Sequence, residues 1–397
     1  MSGGLRQRGV AAVVFLAIFV IILIGVLTTA FGGRSVQNEF DAKTLPVLAA
    51  AKAALIAYAA SHPTAPGRLP CPDKLNDGLE HCTGIAGDQL GRLPWKTLGI
   101  PIPRDGSGEC LWYAVSGNFV EAPVTPGINS DANGTIKVVD DASPPNVLAG
   151  ATVKSLAVAV IFAPGPPFQT NDRTPSAPSQ CGGNTISTNY LDIAGGVNNA
   201  NIAVPAQYVA GTPGPTFNDR LVYITPTDLF PSVERRVAGE IKKRLQTYFA
   251  TYHYYPFAST ISDMTFACTP SITRGRLPVT INPTCSDNAD WPAALPAWYQ
   301  SDHWDMLTFY STALSCAFPN ISCLPVGSLL TLQNGPVPLN NKQALVIEAG
   351  RALPTQDRSI NAIDRYLDGP ENTNDDDTYT TLPRSPTFND VVVVVGP

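Results

Sequence analysis

Three kinds of side chain in this sequence stand at spacings that suit chemistry: clustered carboxylates, one histidine set among acids, and eight cysteines. The densest acidic run is Asp368-Gly369-Pro370-Glu371-Asn372-Thr373-Asn374-Asp375-Asp376-Asp377. Calcium needs several oxygen ligands converging from a flexible segment, so Asp368, Asp375, Asp376 and Asp377 are candidate calcium ligands; a plain solvated turn is the other reading. A second loop, between Cys71 and Cys82, carries Asp73, Asn76, Asp77-Gly78 and Glu80. It matches an EF-hand loop only in part, because Leu75 stands where the second ligand belongs. Asp302-His303-Trp304-Asp305 is the one stretch that sets a histidine beside carboxylates. A hydrolase would use it as base and orienter, whereas in a Trp-rich segment the same residues serve packing. The remaining histidines are His62, His81 and His253, and no zinc-protease motif, nucleophile elbow, P-loop or dinucleotide fingerprint occurs. The chain reads as a non-enzyme.

The cysteines are Cys71, Cys82, Cys110, Cys181, Cys268, Cys285, Cys316 and Cys323. Eight cysteines allow about a hundred complete pairings. Proximity and an internal duplication described below favour Cys71 with Cys82, Cys110 with Cys181, Cys268 with Cys285 and Cys316 with Cys323. Zinc is the competing use, but no paired C-x-x-C is present. With 15% charged residues, 37 prolines, 32 glycines and 3 methionines, the composition is that of a loop-rich exported protein, where disulfides persist. A formal charge of -6 with dispersed Lys and Arg argues against a nucleic-acid partner.

The elements that must position these residues begin with a basic head, Arg6-Gln7-Arg8, running through Gly9 into an uncharged stretch from Val10 to Gly33. Val10 to Phe31 supplies the roughly 20 apolar residues that a membrane-spanning helix needs. It exceeds the apolar core of about 7 to 15 residues of a cleaved secretory signal. Basic residues before the span keep the head cytoplasmic and send the remainder across. Ser35 to Ser61 continues as helix-forming sequence with Leu45, Leu48, Lys52, Leu55 and Ala59 along one side, bent at Pro46 and stopped by His62-Pro63. One helix from Val10 to about Ala60 would be about 75 Å long.

The exported part repeats itself. Thr216-Phe217-Asn218-Asp219 before Arg220 to Ile224 recurs as Thr387-Phe388-Asn389-Asp390 before Val391 to Val395. Ala159 to Ala163 with Tyr190-Leu191-Asp192 parallels Leu345 to Ala349 with Tyr366-Leu367-Asp368. Trp112-Tyr113 parallels Phe309-Tyr310, Gly67-Arg68-Leu69-Pro70 parallels Gly275-Arg276-Leu277-Pro278, and the cysteines divide four and four. The second half opens with its own helix, Ser232 to His253, with Val233, Val237, Ile241, Leu245, Tyr248 and Tyr252 on one face; Arg235, Arg236, Lys242, Lys243 and Arg244 form a solvated basic face. Leu156 to Phe162, Leu221 to Ile224, Leu345 to Ile347 and Val391 to Val395 are the strand candidates. The expected fold is α+β: a leader at 1–9, an N-terminal helix at 10–61, and two units, 62–230 and 231–397, each a helix on an antiparallel sheet with its own core.

A basic leader ending in Gly9, an apolar segment starting at Val10 and an amphipathic continuation into an exported domain resemble the type IV pilins and type II secretion pseudopilins. The stretches Gly67 to Asp73, Gly91 to Trp95 and Leu111 to Val115 are similar to bacterial pilin-like proteins of unknown activity. The resemblance implies cleavage between Gly9 and Val10 by the prepilin peptidase, anchoring in the bacterial inner membrane before assembly, and as partners an assembly platform and other pilin or pseudopilin subunits. Most pilins carry glutamate at the fifth mature position, where this chain has Val14; the large tip subunit of the secretion pseudopilus also lacks it. Several pseudopilins hold calcium before their last strand, which lends weight to the run from Asp368 to Asp377. The implied role is a minor or tip subunit of a type IV pilus or type II secretion system. The alternative is a stably anchored periplasmic or surface-binding protein, or adhesin, that never enters a filament.

Overall fold

A computed structural model describes residues 37–82, 87–120, 127–202, 206–282, 284–285, 290–320, 323, 329–374 and 376–396. Gly9, Val10, Val14, the apolar run to Phe31 and Asp375 lie outside the described residues.

The alanine-rich first helix, α1 (Gln37–Ser61), is long and apolar enough to cross a membrane by length and composition. It ends just before His62, whose helical conformation is disfavoured by Pro63. One side is committed to the protein body: Thr44, Leu48, Ala51, Leu55 and Ala59 are 0 or 1% exposed. Leu45, expected on that side, is instead 52% exposed. Lys52 reaches round to donate to Tyr223 O at 2.9 Å and to pair with Asp228 at 3.2 Å.

A first four-stranded sheet has the order β1 (Gln89–Arg92), β2 (Trp112–Val115), β5 (Ala159–Ala163), β9 (Arg220–Ile224). A second has the order β10 (Arg274–Arg276), β11 (Thr308–Thr312), β14 (Ala344–Glu348), β16 (Val391–Gly396). All neighbours in both are antiparallel, and the four candidate strands take corresponding places. Two smaller sheets depart from the antiparallel expectation. In β4 (Val147–Ala149), β3 (Lys137–Asp140), β8 (Gln207–Ala210) the last pair runs parallel. The same holds in β13 (Val337–Lys342), β12 (Leu330–Asn334), β15 (Thr378–Thr381). A short hairpin joins β6 (Ile193–Ala194) to β7 (Val197–Asn198).

The second long helix, α2 (Pro226–Tyr252), starts six residues before the expected Ser232. Thr225 and Asp228 form a capping box with Pro226 in the first turn, so the start signal lies upstream of Pro231, which reads as a breaker. Its buried face carries Leu229, Phe230, Val233, Val237, Ile241, Leu245 and Tyr248.

The expectation of a separate core for each half is not met. One cluster of buried side chains runs from Leu48 and Leu55 of α1 through Tyr113 and Ile161 of the first sheet and Val233 and Ile241 of α2 to Tyr310 and Ile347 of the second sheet. Phe230 packs 6.1 Å from Phe119 and 6.4 Å from Trp304, so α2 serves both sheets. A second cluster, with Trp112, Phe162 and Tyr208, fills the opposite face of the first sheet.

One landmark of the repeat is corrected. Gly275-Arg276-Leu277-Pro278 corresponds to Gly91-Arg92-Leu93-Pro94, because β10 and β1 are both edge strands bridged to an incoming segment, at Ser259 and Asp73 respectively. Gly275 and Gly91 are glycine for that reason: a Cβ would meet Ser259 O at 2.0 Å and Asp73 O at 2.8 Å. The Gly67 copy leads elsewhere. Leu69 N donates to Phe119 O as Tyr255 N does to Cys316 O, both at 2.8 Å. The Tyr113 hydroxyl meets Pro70 O, and that of Tyr310 meets Pro256 O.

Candidate functional site

The repeated aspartates meet in two matching clasps. In the first half, Asp192 N donates to Asp219 Oδ2 at 2.9 Å and Asn218 N donates to Asp192 Oδ2 at 2.8 Å. In the second, Asp368 N donates to Asp390 Oδ2 at 2.7 Å and Asn389 N to Asp368 Oδ2 at 2.6 Å. Asn199 completes the first clasp, donating to Asp219 and Val209 O and accepting from Val209 N. Asn372 does the same with Asp390 and Thr380. Each clasp therefore ties the final strand to the parallel strand of the small sheet. Beside them, buried Arg92 lies 5.1 Å from the ring of Trp112 and 4.4 Å from that of Tyr190, with Arg173 on Tyr190 at 4.6 Å. Arg276 and Arg358 repeat this on Tyr366, at 5.2 and 5.3 Å. These acids and arginines build the fold; their signals in the sequence were the repeated Thr-Phe-Asn-Asp, Tyr-Leu-Asp and Gly-Arg-Leu-Pro stretches.

The calcium expectation finds no gathered site. Both oxygens of Asp368 are engaged, Oδ2 by Asn389 N and Oδ1 by Gln356 Nε2 at 2.9 Å. Asp376 accepts from Thr378 N and Asn374 Nδ2. Among the described residues, Asp368, Asp376 and Asp377 do not bring their carboxylates together, and Asp375 lies outside them. The loop from Cys71 to Cys82 does gather Asp73, Asp77 and His81. However, Asp73 already accepts backbone N–H groups of Leu75, Asp77 and Gly78, and Asp77 that of Leu79. Glu80 accepts from Cys71 N. These carboxylates shape the loop.

All four cysteine pairs lie at disulfide distance, in the pairing that proximity and duplication favour. They are not part of the repeat. Cys316 follows β11 at the place of Phe119, and no second-half cysteine matches Cys110 before β2. In the segment from Asp302 to Asp305, Trp304 is fully buried and His303 is exposed in the left-handed region at φ 59°. No hydrogen bond joins His303 to a carboxylate among the described residues, so the base-and-orienter arrangement is not assembled. Asn129 instead binds the carbonyls of Asp302 and His303, fastening the halves together. Arg236 of the basic face is also structural, donating to Ala60 O at the end of α1.

What remains open is the outer side of α1. Ala42, Leu45, Pro46, Ala49, Ala50, Ala53 and Ala57 form one exposed stripe at helical spacing; Lys52 is turned inward, while exposed Lys43, next to Ala42, pairs with Glu39 at 2.8 Å. Among the described residues nothing covers this side.

The buried acids set the pH response. Burial pushes Asp305 up to about 6 and raises Asp219, Asp390 and Glu348 well above their usual values, with Asp192 adding like charge at Asp219 and Asp368 at Asp390. A carboxyl with a raised folded pKa stabilises the fold fully below its unfolded pKa of about 4, and that stability is lost as pH climbs through the folded value. Glu39, Asp140, Asp172, Asp263 and Asp357 shift downward through surface hydrogen bonds. Their contribution is lost only below about pH 4. The melting temperature is therefore expected to be higher near pH 5 than near pH 8. Asp305→Asn, which keeps an oxygen for Met306 N, narrows the gap. Thermal melts at the two pH values check this, and equal melting temperatures for the wild type count against it.

No family model matches the chain, and no characterised protein or solved structure is significantly similar to it.

Proposed function

We propose that this chain is a pilin-like subunit, minor or terminal, of a type IV pilus or type II secretion pseudopilus, held in the inner membrane before assembly. The observation that carries this reading is the apolar stripe of α1 from Ala42 to Ala57, uncovered among the described residues, which follows the uncharged run from Val10 to Phe31 in the sequence. A helix with one side bonded into a folded body and the other small, apolar and unpartnered suits packing against like helices. The two halves, with equal strand orders and equal clasps, are read as tandem pilin-like units in an ectodomain too bulky to repeat closely along a thin filament. With Val14 in place of the pairing glutamate, that favours a cap over a repeating subunit.

Co-expression with a prepilin peptidase should yield a mature protein starting at Val10, read by mass spectrometry of the amino terminus. Persistence of the full leader would sink the filament reading in favour of a permanently anchored binding protein. Ala53→Lys, on the exposed stripe, should change folding stability by no more than about 0.5 kcal/mol while sharply lowering recovery of the protein in sheared filament fractions. Undiminished recovery counts against the stripe as the assembly surface.

A further inference from the structure

The repeat supplies an internal comparison at one place where its halves differ. In the second half, Gln356 N donates to Leu353 O, and Leu353 N returns a bond to Gln356 Oε1 at 2.8 Å. That leaves Gln356 Nε2 to close on Asp368 Oδ1 at 2.9 Å. The first half builds the same turn with asparagine: Asn171 N donates to Phe168 O, and Phe168 N to Asn171 Oδ1 at 2.7 Å. Arg173 and Arg358, each two residues on, confirm the alignment, since both bind the carbonyl of the matching Gly165 or Gly350. Asparagine is one methylene shorter. Among the described residues no protein group takes Asn171 Nδ2, and none takes the Asp192 oxygen corresponding to the one Gln356 caps.

Both groups line a cleft of about 560 Å³, with Phe168, Thr170, Thr188 and Thr216 around them. Asp192 is only 8% exposed, so it is a built feature of the wall. Among the described residues it is also the one charged group in the lining, too little negative charge for a divalent cation. A donor and an acceptor thus line the same cleft, and a hydroxyl group satisfies both by accepting from one and donating to the other. Three threonine hydroxyls and an aromatic ring nearby suit further hydroxyls and an apolar ring face.

We propose that this cleft binds a neutral saccharide, one hydroxyl bridging Asn171 Nδ2 and the free oxygen of Asp192. The site does not rest on the filament reading, since leader processing has no part in it, and either idea can fail alone. The full chain, held in a detergent without a sugar headgroup, is tested with glucose, galactose, mannose and N-acetylglucosamine by saturation-transfer NMR and calorimetry. At least one sugar is expected to bind saturably at millimolar concentration. Asn171→Gln, which copies the second half and closes the gap, should weaken binding at least about tenfold without lowering the melting temperature. Thr188→Trp, which fills the cleft from an exposed position, should give the same loss and decides the matter if the first variant folds poorly. Binding that survives Thr188→Trp or a folded Asn171→Gln variant overturns the proposal. So does the absence of binding by all four sugars at about 20 mM, which would leave a cleft holding water only.

Discussion

Asp390→Ala is expected to destabilise the protein by roughly 3 kcal/mol or more, because it strips the acceptor from two buried donors at once, Asp368 N and Asn372 Nδ2. The carboxylate is buried, and its second oxygen has no hydrogen-bond partner among the described residues. Burial and the neighbouring Asp368 both raise its pKa, so the wild-type side chain favours its neutral form. Asp390→Asn keeps an acceptor oxygen without the charge and should lose far less. The matching clasp makes the same statement about Asp219→Ala, whose lost partners are Asp192 N and Asn199 Nδ2. Urea denaturation of the three variants measures this; an Asp390→Ala loss below about 1 kcal/mol would show the clasp to be ornamental.

The disulfides should rank by the chain they enclose. The pair Cys110 and Cys181 spans 71 residues, and Cys316 and Cys323 only 7. Loop-closure entropy assigns roughly 4 kcal/mol to the first and roughly 2 kcal/mol to the second. The first bridge also holds the neighbourhood of Gln180 and Gly182, whose carbonyls accept from Arg104 and Asn76. Removing both cysteines of a pair avoids a stray thiol. The double variant at 110 and 181 should therefore denature at clearly lower urea than that at 316 and 323, and the reverse order would refute the ranking.

The parts of the fold legible beforehand are those that announce themselves locally. The β-branched runs at Ala159 to Phe162 and Val391 to Val395 form central and final strands, and the spacing of Val233, Val237, Ile241 and Leu245 marks the buried face of α2. The short strands Lys137–Asp140 and Thr378–Thr381 were not legible, since neither has an alternation that outweighs its polar residues. The landmark at Gly67 was misplaced because Gly-Arg-Leu-Pro occurs twice in the first half, and only strand pairing tells which copy faces an incoming chain. Among the candidate ligands, the carboxylates were visible but their competitors were not. Asp73 and Asp368 are occupied by backbone amides and by Gln356, and no spacing of acidic residues reveals that.

The core shared through α2 has a consequence for how the protein is made. Phe230 and Val233 complete the packing of Phe119 and Ile128 in the first half, yet they lie beyond every strand of the first sheet. During synthesis the amino-terminal half thus emerges with its apolar side open, and it stays so until the chain has been made to about residue 245. A shared core of this kind disfavours folding one half at a time, and the waiting segment is the one most exposed to proteases and most in need of a chaperone.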